Sequence, residues 1–424
     1  MANHSDMVRG SMMPQSMILT PRWYPLRPHA EQLRLLTATS RFRVVACGRR
    51  SGKTELAKRY GVKLALSEST WTDARFGFGA PTRQQAKELF WLDLKRLMST
   101  RFMSRRPSES ELRIDLINGA SLQVCGLDRP QRIEGRPWNW FVIDEIDDCR
   151  PETWEEAIRP ALSDRAGGAW FTGVPNGRGF LYQLKCRAEN REGWSYHWWP
   201  SADILSASEI EDAQRDLDPR TFRQEYEASF ELASGRVCYA FERAENVREF
   251  TVPESVRWHA CMDFNVHPMT AACGWVDGET IYVWQDWHVP TASTYEVGSR
   301  ILGVTGKRAI MFPDPSGMHR DTRSGTNDHE ILRELGFKIR ARPACPSPRS
   351  RNNALNSRLC SAAGVRRMII HPRCQHLIDA LEGLLYKNGE EEKNDYQHIV
   401  SALGFWAENL FPIRPRKTFK GVKF

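Results

Sequence analysis

The stretch Arg41-Phe-Arg-Val-Val-Ala-Cys-Gly-Arg-Arg-Ser-Gly-Lys-Thr54, running on into Glu55 to Leu66, decides the fold. Residues 41–47 read as a short buried strand, and the residues from Glu55 as a helix. The link between them is Gly48-Arg-Arg-Ser-Gly-Lys-Thr54, a phosphate-binding loop. Backbone N–H groups of such a loop cradle phosphates, Lys53 reaches the β/γ oxygens and the Thr54 hydroxyl binds Mg²⁺. The strict pattern has Gly six residues before the Lys. Here that position is Cys47, with Gly48 one later to supply the bend.

Working outward, Trp140-Phe-Val-Ile143 is an apolar run closing on Asp144-Glu145, a Walker B pattern. Asp144 would hold the Mg²⁺ and Glu145 would polarise the attacking water. The residues between the two motifs have room for βα units of a parallel sheet. Arg75 to Ala80 reads as a strand. A helix is expected from Arg83 to Met98, with Ala86, Phe90, Leu94 and Leu97 on one face. Leu112, Ile114 and Leu116 alternate, Asn118-Gly119 gives a type I′ turn signal, and Leu122 and Val124 alternate again, which predicts a hairpin. Ala169 to Thr172 is a further strand, leading into Gly173-Val-Pro-Asn-Gly177. Upstream, Gln32 precedes a helix, where its amide can hydrogen-bond the edge of adenine.

The chain has 424 residues, which at roughly 100–200 per domain predicts two to four domains. Hydrophobic residues make up 41 % and there are 15 Trp, which excludes a disordered chain. No run of about 18 apolar residues occurs, so no transmembrane helix is expected. The ten cysteines include no Cys-x-x-Cys pair, so reduced thiols are expected and a zinc ribbon is not. The net charge of +8 suggests a polyanionic partner.

From His259 the pattern changes. A strand ends at Asp263, Thr270–Val276 and Thr280–Gln285 flank a tight turn at Asp277-Gly278, and Ala309–Phe312 leads to Asp314. Two carboxylates at the tips of separate strands suit Mg²⁺ or Mn²⁺, since hard cations take oxygen ligands. A two-metal site about 3.5–4 Å across would activate water against a phosphodiester. Asp286 is a lesser candidate ligand. Between Lys338 and Arg367 lie eight basic residues and no acid. Pro343 to Arg351 reads as a loop there, with Arg340, Arg342, Arg349, Arg351 and Arg358 as candidates for gripping DNA phosphates.

These pieces, in order, resemble the large terminase subunit of tailed bacteriophages. The stretches that carry the resemblance are PHAEQLRLL (28–36), CGRRSGKT (47–54), GAPTRQQAKELF (79–90), RIEGRPWNWFVIDEID (132–147), RPALSDRAGGAWFTGVPNGRGFLYQL (159–184) and TFRQEYEASFELASGRVCYAF (221–241). The resemblance covers roughly residues 20–410 and implies a P-loop ATPase, a mostly parallel sheet flanked by helices, followed by an RNase H-like α/β nuclease domain. It implies ATP with Mg²⁺ at Gln32, Gly48, Arg49, Arg50, Ser51, Gly52, Lys53, Thr54 and Asp144, with Glu145, Arg49 and Lys53 catalytic. Arg132 and Arg136, flanking Gly135, match a loop that can offer an arginine to a neighbouring subunit. The family's coupling motif reads Gly-Thr-Pro, and here Gly173-Val174-Pro175 stands, so coupling through Thr172 is not expected.

In the second half the resemblance puts Asp263 and Asp314 at the first two acidic positions of a Mg²⁺ or Mn²⁺ nuclease. The family's last motif reads His-x-x-Asp-Ala-Leu-Gly-Tyr, whereas this chain has His398-Ile-Val-Ser401-Ala-Leu-Gly-Phe405. Serine stands where the third acid belongs. Either the serine was introduced there, or Asp395 or His398 completes the site; impaired cleavage is the expectation. The implied partners are double-stranded DNA, the portal protein, the small terminase subunit and other copies in a ring, in the host cytoplasm at the procapsid portal.

The expected division is an arm or tag at 1–20, an ATPase domain at 21–232, a linker at 233–253, a nuclease domain at 254–410 and a basic tail at 411–424. Two rival readings stay open. One is a P-loop helicase or DNA translocase without nuclease activity, and Ser401 keeps it alive. The other is a nucleic-acid-binding scaffold with a dead P-loop, against which Lys53-Thr54 and Asp144-Glu145 speak.

Overall fold

The computed structural model describes residues 29–231, 234–265, 267–306, 309–319, 326–387 and 389–413. The expected arm at 1–20, Ala233 of the expected linker and the tail from Arg414 onward lie outside the described residues. The chain divides into two compact units, Met1–Ile204 and Leu205–Phe424.

The first unit is built on seven strands: β1 (Phe42–Cys47), β2 (Arg75–Ala80), β3 (Arg113–Asp115), β4 (Ser121–Gly126), β5 (Trp140–Asp144), β6 (Gly168–Gly173) and β7 (Trp194–Trp199). Their order is β3-β4-β2-β5-β6-β1-β7. Every pairing is parallel except β3 with β4. All six residues of β1 are buried, as in a parallel strand covered on both faces. Arg43 is the polar exception. It donates to the Leu35 carbonyl at 2.8 Å and stacks on Tyr60 and Trp170, tying the end of helix Ala30–Thr37 to the sheet. Helix Lys53–Leu66 crosses the sheet so closely that a Cβ on Gly61 would stand 2.4 Å from the Phe78 ring.

Two expectations need correction here. The helix expected over 83–98 runs from Arg83 to Leu97, but with a π-helical turn at Lys87–Trp91. The extra residue brings Trp91 into the core beside Phe90, and its Nε1 donates to Glu109 at 2.7 Å. The hairpin between β3 and β4 does not use a type I′ turn. Of Asn118 and Gly119, only Gly119 has a positive φ (83°). Gly119 N donates to the Leu116 carbonyl and Leu116 N to that of Ala120, which makes a three-residue loop. Asn118 is held in place by donating to the Ala65 carbonyl and accepting from Ala120 N.

The second unit carries β8 (His259–Asp263), β9 (Met269–Asp277), β10 (Thr280–Val289), β11 (Ile310–Pro313), β12 (Lys338–Ile339) and β13 (Met368–Ile370), in the order β12-β11-β8-β9-β10-β13. β8, β9 and β10 form an antiparallel meander, and β8 pairs with β11 in parallel. Helices Pro348–Leu359, Gln375–Gly383 and Asp395–Leu410 share one apolar core with this sheet. Pro348 at the first helical position and Ser347 as N-cap start a helix inside what reads as a loop over 343–351.

The division falls at Ile204, ahead of the 232 expected. Helices Ala207–Asp216 and Pro219–Glu225 group with the second unit, where Ala213, Leu217 and Phe222 pack with Ala362 and Ile413. Backbone hydrogen bonds from Ala362 to Leu217 and from Ala363 to Gln214 fasten them there.

His259 on β8 is 8 % exposed and packs edge-on against Phe312 and Trp406. Burial, with help from Arg257 and Arg340, lowers its pKa from 6.5 to about 4. The folded state keeps it neutral where the unfolded chain would protonate it. Its contribution to stability is therefore present above about pH 6.5 and lost as pH falls toward 4, at up to about 1.4 kcal/mol per pH unit. Thermal unfolding of His259→Phe at pH 7.5 and pH 5 should show a smaller acid-induced drop in Tm than the unaltered chain.

Candidate functional site

The parallel register of the first sheet sets up its site. β6 lies between β5 and β1, with Thr172 level with Asp144 on one side and Val45 on the other. The phosphate loop follows β1 at the same sheet edge, where open parallel sheets bind ligands. Asp144 is 1 % exposed. Its Oδ2 accepts from the Thr54 hydroxyl at 2.9 Å, and its Oδ1 accepts from the Thr172 hydroxyl. Lys53 is buried, with Nζ 3.8 Å from Glu145 Oε1. Burial pushes the Glu145 carboxyl above its usual range, Lys53 opposes this, and Asp144 adds to it. The Glu145 backbone is left-handed, φ 52° and ψ 54°, a conformation that costs a non-glycine residue about 1–3 kcal/mol and clusters at functional sites.

The loop is braced from outside. Gly48 N donates to the Trp199 carbonyl, Trp199 Nε1 to the Ser51 carbonyl at 2.9 Å, and the Ser201 hydroxyl to the Arg49 carbonyl at 2.6 Å. Gln32, expected at the adenine edge, aims its amide nitrogen at the Ser51 carbonyl, 3.4 Å away. Trp199 and Ser201 carry no sequence signal of this role; only the pairing of β7 with β1 brings them there. Arg50 and Gly52 take positive φ, a turn that gathers backbone N–H groups into an anion-binding concavity. The Ser51 hydroxyl is 1 % exposed and has no hydrogen-bond partner. A buried orphan donor, a buried lysine and a Thr–Asp pair fit a nucleotide polyphosphate with a divalent cation. Arg132 and Arg136 are both exposed, and Gly135 between them has φ 70° with open space around it.

In the second unit the parallel pairing of Pro313 with Met262 brings Asp314 beside Asp263. Asp263 is 9 % exposed, and burial raises its pKa despite the opposing hydrogen bond from His398. His398 lies on helix Asp395–Leu410, with Nδ1 2.8 Å from Asp263 Oδ2 and Nε2 3.0 Å from Asn265 Nδ2. Both ring nitrogens of His398 are thus engaged within the protein. The exposed Asp395 carboxylate lies 3.9 Å from His288 Nε2. The Asp286 carboxylate accepts from Leu377 N at 2.8 Å and caps helix Gln375–Gly383. Among the described residues no group of three carboxylates, imidazoles or thiolates comes together. Asp263 and Asp314 fit a hard cation that keeps much of its water, with Ser401 one helical turn beyond His398.

The arginines differ from the expected solvated loop. Arg342 is bound to Glu408 at 2.7 Å, and Arg351 and Arg358 are buried over Phe405 and Phe411. Arg366 is tied to Asn246 and Arg367 to Glu279. Arg340 and Arg349 are exposed. The basic run is mostly built into the unit, because helix Pro348–Leu359 packs against helix Asp395–Leu410.

A parallel sheet ending in a phosphate loop and a paired-acid Walker B strand, with a second mixed sheet carrying two acids on adjacent strand ends, is the arrangement expected of a P-loop NTPase followed by an RNase H-like unit. No family model matches the chain. The large terminase of the thermophilic bacteriophage D6E matches the structure with a TM-score of 0.64 at 17 % identity, covering 90 % of this chain and 98 % of that one. The same protein in complex with ATP-gamma-S gives 0.61 at 17 % identity, covering 89 % and 98 %. The terminase large subunit of Escherichia phage T5 is 23 % identical over 238 residues, which is 53 % of this chain and 52 % of that protein. The chain spans about half the length of that curated relative. The fold is that of the large terminase subunit of tailed phages, and the sequence resembles that family.

The role of Asp286 as a cap is directly testable. Asp286→Ala should cost about 1–2 kcal/mol in denaturant unfolding, with Asp286→Asn costing much less because it keeps an acceptor. Mn²⁺ binding should be the same in all three proteins.

Proposed function

We infer that the chain is the motor subunit of a viral DNA-packaging machine. ATP hydrolysis in the first unit drives double-stranded DNA into a procapsid, and a metal-dependent endonuclease in the second cuts concatemeric genome DNA. The observation that carries the reading is the 2.9 Å hydrogen bond from Thr54 to Asp144, which joins the phosphate loop to the Walker B strand. The D6E relative, solved with ATP-gamma-S, supports the choice of nucleotide.

In this reading Gly48, Arg49, Arg50, Ser51 and Gly52 surround the phosphates, with Gln32 holding the loop. Thr54 and Asp144 would hold Mg²⁺, which would supply positive charge to the polyphosphate. Glu145 orients the attacking water and takes its proton, a task suited to a carboxyl with a raised pKa. Lys53 and Arg49 stabilise charge on the transferring phosphoryl group. Against the expectation from the missing Gly-Thr-Pro motif, Thr172 donates to Asp144 and offers a route from the acid to β6 and the segment after Gly173. An exposed arginine, Arg132 or Arg136, suits the neighbouring site in a ring of copies.

In the second unit Asp263 and Asp314 would hold Mg²⁺ or Mn²⁺, which would supply an activated water for a phosphodiester. Cleavage is weak, because a serine hydroxyl at position 401 is a poorer ligand than a carboxylate. The partners are double-stranded DNA, the portal protein and the small terminase subunit, at the procapsid portal in the host cytoplasm and not in the mature virion. A translocase without nuclease activity is the second reading, favoured by Ser401 and by the turn of Asp395 toward His288.

Lys53→Ala should lower DNA-stimulated ATP hydrolysis by about 10²-fold or more; undiminished hydrolysis removes the motor reading. Ser401→Asp should raise Mn²⁺-dependent plasmid cleavage by about tenfold or more. Equal, robust cleavage by both forms would show that the serine impairs nothing.

A further inference from the structure

Arg351, in the second unit, is 9 % exposed. Its Nε is enclosed without a hydrogen-bond partner, and no carboxylate among the described residues pairs with its guanidinium. Its one evident partner is the Phe405 ring, 4.5 Å from Cζ. Leaving a buried cation unpaired is costly, so a site of this kind calls for an anion.

The surroundings say which anion. Arg351 packs against helix Asp395–Leu410 at Gly404, where an added Cβ would come within 3.0 Å of its own Cβ. Ser401 precedes Gly404 by three residues and Phe405 by four, so it shares the face that Arg351 covers. One turn earlier on that face is His398, bonded to Asp263 at 2.8 Å. The helix therefore carries, in order, the partner of Asp263, Ser401 and the platform of Arg351. The Asp263 carboxyl feels the Arg351 charge, and the Cys345 thiol feels Arg351, Asp263 and Asp314 together. Glu408, one turn past Gly404, is held by Arg342 at 2.7 Å.

We propose that Arg351 is the phosphate-binding residue of the acidic site: its guanidinium takes a backbone phosphate of the DNA, and it is free to do so because position 401 is serine rather than a carboxylate. A planar guanidinium pre-stacked on a phenyl ring matches the geometry of phosphate oxygens and gives up little further freedom on binding. The proposal rests on reading this unit as a DNA-cutting site, and it gives the serine a use.

The test uses the full chain and a short fluorescein-labelled DNA duplex in EDTA, so that no cleavage occurs. Arg351→Gln should weaken binding about tenfold and reduce the slope of log K against log salt by about one, with Arg351→Lys losing less. Ser401→Asp sets a carboxylate beside Arg351 without altering it. It should weaken binding in EDTA to a similar degree and raise Tm, and the double variant Arg351→Gln/Ser401→Asp should lose that rise. Ser401→Asp decides the matter if Arg351→Gln fails to fold. Binding within twofold of the unaltered chain by folded variants, with unchanged salt slope, overturns the proposal while the nuclease reading stands. No rise in Tm with Ser401→Asp overturns it as well. Failure of the unaltered chain to bind the duplex at all would instead refute the nuclease reading, and the proposal with it.

Discussion

A single buried carboxylate organises the first unit. Asp144 accepts one hydroxyl from the helix that follows the phosphate loop and another from the neighbouring strand, through Thr54 and Thr172. Three segments distant in sequence are thereby fixed at one sheet edge. The register does the rest: with β6 between β5 and β1, the acid, the threonine and the start of the loop are neighbours by construction. A carboxylate buried to this degree is tolerable only when its oxygens are satisfied, and both are. Loss of either hydroxyl would disturb the acid first, and through it the position of Glu145.

The second unit uses the same device with a different finish. Parallel pairing of β11 with β8 brings two acids together at strand ends, and one long helix crosses them. That helix supplies an imidazole to one acid and a platform for a buried arginine. Both units thus place their chemistry where strand order, not loop conformation, sets the distances. A rigid element locates a reacting group more closely than a loop can.

Much of this was legible in sequence because it rests on local signals. Strand β1, the loop glycines and the Walker B acids announce themselves by residue type and spacing. The same holds for the alternation around Asp263 and for the departure at Ser401. What was illegible depended on partners far along the chain. Asp286 looks like a strand-end acid until Leu377 N is seen beside it. Arg342, Arg351 and Arg358 read as a solvated basic run because no local feature reveals that Glu408, Phe405 and Phe411 cover them. Trp199 braces the phosphate loop from 148 residues away. The type I′ turn failed for a related reason, since the Ala65 carbonyl claims the Asn118 side chain. The boundary at Ile204 likewise follows from contacts of two helices with Ala362 and Ile413, not from composition.

Glu145 sits in a left-handed backbone conformation that folding alone would award to glycine or asparagine. Selection for stability and selection for chemistry pull in opposite directions at this one residue. On the proposed motor function, a lineage of the chain released from splitting nucleotide would be expected to shed the glutamate early, gaining stability as it did so.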